Sequence, residues 1–498
     1  MSQNIFDTFI IGGGINGVGL AADLSGRGLS VCLVEKNDLA SATSQSSSKL
    51  IHGGLRYLEH FEFRLVKESL RERRVLLQNA PHLVKPLRFV MPYHRQLRPA
   101  WLIRLGLFLY DFLDGSDTLP RCKSIQFQED GLNPLNHTYK KGFEYYDCKV
   151  DDARLVVSVA KTAENKGAKI LPRTRFVRAA REGDVWHIHV EHEDKHIESL
   201  YARSIVNVAG PWVEQVESEG FNIKAKGAVR LIKGSHIVVP KLYDGDHAYI
   251  LQHRDGRVIF VIPFERNYNL IGTTDEPYEG DPALVAISED EVLYLCNAVN
   301  AYFKQAISPD AVAWAYAGVR PLKNDGQSAA AKVTRDYSFE LSDHHGKAPL
   351  LTVIGGKLTT YRKLAESACD KLRPYFPQMG KPWTASAPLA GGELKSVSCA
   401  EYMQKITAKF PWLPEALRSR YLNHYGNNIE VLLQNCQKIE DLGEAFGAGL
   451  YQKEIEYLVK HEWARTADDI LWRRTKLGLH LPQAARRRVA DYLTGQST

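Results

Sequence analysis

The chain has 498 residues, enough for two to four domains at ~100–200 residues each, and its 44% hydrophobic and 24% charged content excludes wholesale disorder. No run reaches the ~18 uninterrupted apolar residues of a membrane-spanning helix. The net charge is +6, but seven cations (Arg73, Arg74, Lys85, Arg88, Arg95, Arg98 and Arg104) fall in an acid-free stretch from 73 to 110, and without them the total is −1; the basicity is local and points to a partner surface or an anionic ligand, with no general affinity for nucleic acid.

An apolar strand begins within a few residues of Met1, so no secretory leader is expected. Seven cysteines are scattered without a CxxC pair, which argues against a Cys-built zinc or redox site and fits a reducing, cytoplasmic setting. Residues 6–11 read as a strand, Gly12-Gly13-Gly14-Ile15-Asn16-Gly17 as a turn opening a helix, and 30–35 (SVCLVE) as a second strand. That order predicts a parallel pair with a right-handed crossover. Residues 62–80 have helical periodicity and stop at Pro81; 151–166 read as a helix N-capped by Asp151 or Asp152 and closed by Gly167. The stretch 169–209 alternates as a small antiparallel meander returning to an apolar strand at 204–208. Strands follow within 229–275, a helix at 287–306, and a strand at 350–354 running into Gly355-Gly356-Lys357. A linker is expected at 382–392, and the remainder to 498 is helical in composition, without internal repeats.

Gly12, Gly14 and Gly17 form a G-x-G-x-x-G element that follows a strand and opens a helix, where backbone N–H groups and the helix dipole favour a pyrophosphate. Glu35, at the end of the next strand, can accept hydrogen bonds from both ribose hydroxyls and would repel a 2′-phosphate. Spacing alone does not choose between NAD and FAD. Further along come a hydroxyl-rich loop from Thr43 to Lys49, then His52-Gly53-Gly54-Leu55-Arg56-Tyr57, Ala209-Gly210-Pro211-Trp212, and Gly318-Val319-Arg320-Pro321. Arg56, Arg320 and Lys357 each sit in or after a Gly-containing turn that follows a predicted strand, where ligand-facing residues collect in open α/β sheets. Guanidinium forks there match phosphate oxygens.

The segments IGGGINGVGLAADLSGRG (11–28) and GGKLTTYRKLA (355–365), with TADDILWRRTKLGL (466–479), carry a likeness that runs through essentially the whole chain. The chain resembles the D-amino-acid-oxidase-like flavoproteins and, more closely, the FAD-dependent respiratory glycerol-3-phosphate dehydrogenases. The resemblance implies an α/β fold: a discontinuous Rossmann-like FAD-binding domain (1–70, 145–225 and 315–385), a mixed-sheet substrate domain (71–144 and 226–314), and a helical C-terminal domain (390–498). It implies FAD held by Gly12, Gly14, Gly17, Glu35, Thr43, Ser44, Ser47, Lys49, Ala209, Gly210, Gly356, Lys357, Leu358 and Thr359. It implies a substrate, sn-glycerol 3-phosphate, met by Arg56, Tyr57, Arg320 and Lys357, with hydride passing from C2 to flavin N5 and with Arg320 and Lys357 also catalytic, their charge favouring an anionic reduced flavin. Dihydroxyacetone phosphate would result, and membrane quinone would take the electrons.

The reaction also needs a base for the C2 hydroxyl; His52 and His236 are the candidates, with a narrow preference for His52. Residues 98–110 form an apolar, Arg-flanked segment too short to span a bilayer; it either lies in the headgroup layer of an anionic lipid surface or packs as a buried helix. The resemblance favours the membrane, at the inner face, and a possible homodimer. Rival readings are an oxidase using dioxygen, an amine or amino-acid oxidase, and a flavin-binding membrane regulator without turnover. His187, His189, His192 and His196 lie on an alternating stretch and are not read as a metal site; Arg486-Arg487-Arg488 reads as a solvated helix face, and Asp275 as a turn residue without a role.

Overall fold

The computed structural model describes residues 5–94, 99–116, 118–127, 133–224, 227–253, 255–324, 336–394 and 398–496, with the side chains of Arg56, His60 and Gln496 outside that description. The expected opening unit is present as β1 (Ile5–Ile11), α1 (Ile15–Gly26) and β2 (Val31–Glu35), with β1 and β2 parallel from Thr8 opposite Val31 to Ile11 opposite Val34. Ten of the twelve α1 residues are buried, because the helix is covered on several sides. Its small residues permit that packing: Ala21 and Ala22 are buried, and Gly19 lies under the ring of Tyr361.

The first sheet runs Ser338–His344, Lys347–Ile354, Ile197–Asn207, β1, β2, Lys169–Pro172. Four of the five pairings in this order are parallel, so both faces must be covered and the strands read as apolar runs. The helices α1, Tyr361–Leu372 and α4 (Asp152–Asn165) share one core with it, including Val18, Leu24, Val156, Ala160, Leu364 and Ala368. Asp151 caps α4, its carboxylate accepting from the Arg154 N–H at 3.1 Å. Strands Arg175–Glu182 and Val185–Glu191 form the expected antiparallel meander with Ile197–Asn207. Lys169–Pro172 does not join it; this strand pairs in parallel with β2.

The second sheet is mixed. It runs from Glu276–Pro277 through Val229–Pro240, Tyr268–Gly272, Val258–Phe264, Ala248–Gln252, Lys85–Pro92 and Lys141–Lys149 to Leu50–Ile51. Trp314–Lys323 pairs antiparallel along Val229–Pro240, from Val229 opposite Lys323 to Val238 opposite Trp314. The chain therefore changes sheets inside the expected domain segments. The segments 1–70 and 315–385, expected in the first domain, contribute Leu50–Ile51 and most of Trp314–Lys323 to the second sheet, and a boundary at 145 falls within the strand Lys141–Lys149. A strand buried on both faces has the same apolar signature in either sheet, so composition marks no border there.

The third unit is mainly helical, with one ribbon pairing Ala445–Gly447 and Leu450–Tyr451, and it has its own core around Tyr402, Tyr421, Ile429, Leu458, Ile470 and Val489. Among the described residues no group of His, Cys, Asp or Glu side chains is arranged to hold a metal ion, and no helix is long and apolar enough to cross a membrane.

The basic stretch looks different in three dimensions. Arg73, on α2 (Phe63–Asn79), is buried, and its guanidinium reaches Asp147 at 2.7 Å, the Tyr146 carbonyl at 2.8 Å and Asp114 at 3.0 Å. Arg88 faces Glu144 at 3.4 Å and Lys85 donates to the Pro81 carbonyl at 2.7 Å. Acids distant in sequence thus neutralise much of the local excess; Arg95 and Arg98 lie outside the described residues. Asp147 also accepts from the Tyr110 hydroxyl on α3 (Ala100–Asp114) at 2.7 Å and from the Gly53 N–H at 3.2 Å, so one buried cluster joins α2, α3, the second sheet and the His52 segment. Replacing Arg73 with Met leaves Asp114 and Asp147 buried without their cation and should cost about 3–5 kcal/mol of stability. A denaturant midpoint equal to that of the parent would contradict this account.

Candidate active site

The turn between β1 and α1 is shaped by close approaches. Gly12 has φ 119°, and a Cβ there would sit 2.7 Å from the Val208 carbonyl oxygen; a Cβ on Gly17 would sit 1.9 Å from the carbonyl oxygen of Gly12. Around this turn the free N–H groups find side chains. Gly13 N–H donates to one Glu35 oxygen at 2.8 Å, Asn37 N–H to the other at 2.9 Å, and Ile15 N–H to Ser44 Oγ at 3.0 Å. Burial raises the Glu35 carboxyl above its ordinary range, and the two N–H donors oppose that rise.

A cavity of about 460 Å³ extends from Glu35 past this turn to the edge of the second sheet. Gly12, Gly14, Glu35, Thr43, Ser44, Ser47, Ala209, Gly210, Gly356, Lys357, Leu358 and Thr359 line it, together with His52, Tyr57, His236 and Arg320. Two of the expected residues do not. Gly17 packs behind Gly12, and Lys49 turns away: its ammonium donates to the Gln45 carbonyl at 2.9 Å and to Asp152 at 2.7 Å. The Arg56 side chain lies outside the described residues.

The hydroxyl-rich loop is braced from within the protein. Thr43 Oγ1 donates to the Val319 carbonyl at 2.6 Å, Ser47 Oγ to Asp152 at 2.7 Å, and Ser48 Oγ lies 2.9 Å from His236 Nε2. Asn16, absent from the sequence-level set, donates to the Gly355 carbonyl at 3.1 Å and ties the α1 turn to the turn at 355–359. These contacts preform a long cleft with the Glu35 carboxylate at one end, the glycine turn in the middle and small residues along its walls. An extended dinucleotide such as FAD fits those surfaces.

Cationic and aromatic side chains gather at the other end. Arg320 is ion-paired with Asp275, and Lys357 Nζ lies 3.8 Å from the ring centre of Tyr57. The His52 N–H donates to Thr359 Oγ1 at 3.3 Å, and the His52 ring meets Phe260 edge-on at 6.3 Å. His236 stacks on Tyr316 at 4.9 Å. Burial, with the Lys49 and Arg320 charges beside it, pushes the His236 pKa down to about 3, so this imidazole is neutral at pH 7. Asp275, expected to be a turn residue without a role, instead pairs with Arg320, and Tyr316, Phe260 and Thr273 were not among the expected site residues. Asp275 meets Arg320 across 45 positions, a pairing without any local signal.

His82 and His236 both have pKa values pushed down to about 3 by burial. An unfolded histidine binds its proton near pH ~6.5. Between that pH and about 3 the unfolded chain therefore holds more protons than the folded one, and stability falls as pH is lowered through this window. Unfolding temperature should decline from pH 6.5 towards 4, and less steeply in folded His82→Gln or His236→Gln variants; a slope unchanged in both variants would show that neither imidazole is buried neutral.

Residues 7–362 match the family of FAD dependent oxidoreductases, and residues 382–495 match the C-terminal domain of alpha-glycerophosphate oxidase. The chain is 52% identical to a glycerol-3-phosphate dehydrogenase of Pseudomonas aeruginosa, over 99% of this chain and 96% of that protein. It is 50% identical to D-erythritol 1-phosphate dehydrogenase of Brucella abortus, over 96% of each. Among solved structures it resembles the glycerol-3-phosphate dehydrogenase from Bacillus halodurans complexed with FAD, with TM-score 0.75 and 25% identity over 99% of this chain and 95% of that one. With a cleft that fits the cofactor and relatives matched over nearly their full length, the chain belongs to the FAD-dependent oxidoreductases, as an FAD enzyme of the glycerol-3-phosphate dehydrogenase group.

Proposed function

We propose that the protein oxidises sn-glycerol 3-phosphate to dihydroxyacetone phosphate at the inner face of the cell membrane, with membrane quinone as the final electron acceptor. The gathering of Arg320, Lys357, Tyr57 and His52 at one end of the cofactor cleft carries this reading. FAD, when bound, supplies the acceptor for the hydride that leaves C2. Arg320, oriented by Asp275, offers a guanidinium fork to a phosphate, and Lys357 adds a second positive charge across the same end. Of the two histidines, His52 takes the proton of the C2 hydroxyl; a base that holds a proton only below about pH 3, as His236 does, is too weak for that role at pH 7. His236 instead buttresses the loop through Ser48.

The Brucella relative favours one alternative substrate, D-erythritol 1-phosphate, which offers the same phosphate on a longer polyol. Anaerobic mixing decides: glycerol 3-phosphate should bleach the flavin colour faster than D-erythritol 1-phosphate, glycine or sarcosine, and failure to bleach it refutes the assignment. Arg320→Ala should raise KM by about 100-fold, the scale of one lost charge-assisted phosphate contact, while FAD content stays near that of the parent. An unchanged KM removes Arg320 from the phosphate site. Reduction of a quinone analogue faster than oxygen uptake separates dehydrogenase from oxidase.

The helix α3 supports the membrane reading. Its fifteen residues span only about 22 Å, short of a ~30 Å hydrocarbon core. Ile103, Leu107 and Tyr110 are buried in the second domain, so the buried-helix alternative holds for that face. The opposite face exposes Trp101, Leu102, Leu105, Phe108 and Phe112, with Phe108 at 65% and Phe112 at 71% exposure. Phe61, equally exposed, follows the turn that packs on α3. A one-sided apolar stripe of this kind suits the headgroup layer. Trp101→Ser with Phe108→Ser should shift the protein from sedimented anionic vesicles to the supernatant; unchanged co-sedimentation would exclude α3 as the anchor.

A further inference from the structure

Four charged side chains of one short segment leave the C-terminal domain and enter the first. Asp469–Arg474 is a single π-helical turn, wider than an α-helix. Thr475 closes it, both its N–H and its hydroxyl donating to the Ile470 carbonyl, at 3.0 and 2.7 Å. Lys476 follows at φ 58°. Arg474 donates to both oxygens of Asp38 at 2.7 and 2.8 Å, and Arg473 adds a third bond there at 2.6 Å. Asp469 pairs with Arg173, and Lys476 Nζ lies 3.1 Å from Asp151.

Each anchor sits directly behind residues that line the cofactor cleft. Asp38 follows Asn37 and precedes Ala40 and Ser41, close to Glu35. The Arg173 N–H donates to the Asn37 carbonyl at 2.8 Å, and the next N–H, of Thr174, to the Glu35 carbonyl at 2.8 Å. Asp151 adjoins Asp152, which receives Lys49 and Ser47 and so backs the loop that ends at Ser48 and His236. Burial would raise the Asp151 carboxyl, and the Lys476 and Lys49 charges more than offset this, holding it below its ordinary range. The segment 469–476 therefore braces, through Asp38 and Arg173, the backbone behind Glu35 and, through Asp151 beside Asp152, the loop whose Ser48 meets His236. Loss of one partner of a buried ion pair leaves the other charge uncompensated, so each pair holds its two segments together.

We propose that Asp469, Arg473, Arg474 and Lys476 are positioning residues for FAD: through them the docked C-terminal domain holds the two ends of the cleft at the separation the cofactor needs, so that docking and FAD binding reinforce each other. The coupling is reciprocal by linkage. A clamp that only joined two domains would affect unfolding without changing how fast FAD leaves.

The test uses the full-length holoenzyme and four variants, Lys476→Met, Arg474→Met, Lys476→Arg and Arg420→Met. Arg420 makes a buried pair with Glu454 at 2.6 Å wholly inside the C-terminal domain and serves as the control. FAD release is read as the rise of free-flavin fluorescence after dilution. Lys476→Met and Arg474→Met should release FAD about tenfold faster than the parent, within the usual range of coupling between sites. Lys476→Arg should restore most of the slow release, and Arg420→Met should lower the unfolding temperature while releasing FAD at the parental rate. Release from the two Met variants no faster than from Arg420→Met overturns the proposal. If both Met variants fail to fold, Arg473→Gln, which removes one of the three bonds to Asp38, decides: FAD release faster than from Arg420→Met supports the coupling, and release at the Arg420→Met rate overturns it.

Discussion

Backbone clearance where β1 turns into α1 is the constraint on which the rest of the architecture depends. Gly12 and Gly17 stand so close to Val208 and to each other that any side chain there would collide with a carbonyl group. Their absence of a Cβ lets α1 start directly above the parallel strands, and only from that position do the N–H groups of Gly13 and Ile15 meet Glu35 and Ser44. The cofactor cleft is the space this turn leaves open.

The second sheet brings His236 and Arg320 to the cleft. Antiparallel pairing of Val229–Pro240 with Trp314–Lys323 sets His236 opposite Tyr316 and Ile232 opposite Arg320. The adjoining strand ends beside them, bringing Asp275 to Arg320. Arg320 has Asp275 as its opposite charge, whereas His236, enclosed near two cations, stays neutral. The same rule governs the seam with the C-terminal domain, where Arg474 and Lys476 are fully enclosed yet each meets a carboxylate.

Charge along the chain proved a poor guide to charge in space. The acid-free stretch from 73 to 110 suggested a basic surface, but Arg73 is buried between Asp114 and Asp147 and Arg88 faces Glu144. The same stretch also exposes the apolar face of α3. Lys49 is the corresponding case within the cleft: its position in the hydroxyl loop suggested a cofactor contact, and Asp152 draws it to the protein side of the wall.

The residues near one another in sequence were legible without coordinates. The strand, glycine turn, helix and acid-ended strand of the first 35 positions, the Asp151 cap, and the turn at 355–359 all follow from local sterics and hydrogen bonding, because a few adjacent residues decide them. Sheet membership, by contrast, was settled only when the chain closed on itself, since a buried strand carries the same apolar pattern in either sheet. So too were the partners of the charges. Asp275 with Arg320, Arg73 with Asp147 and Lys476 with Asp151 are joined across 45, 74 and 325 positions, and no local pattern encodes a pairing that tertiary packing creates.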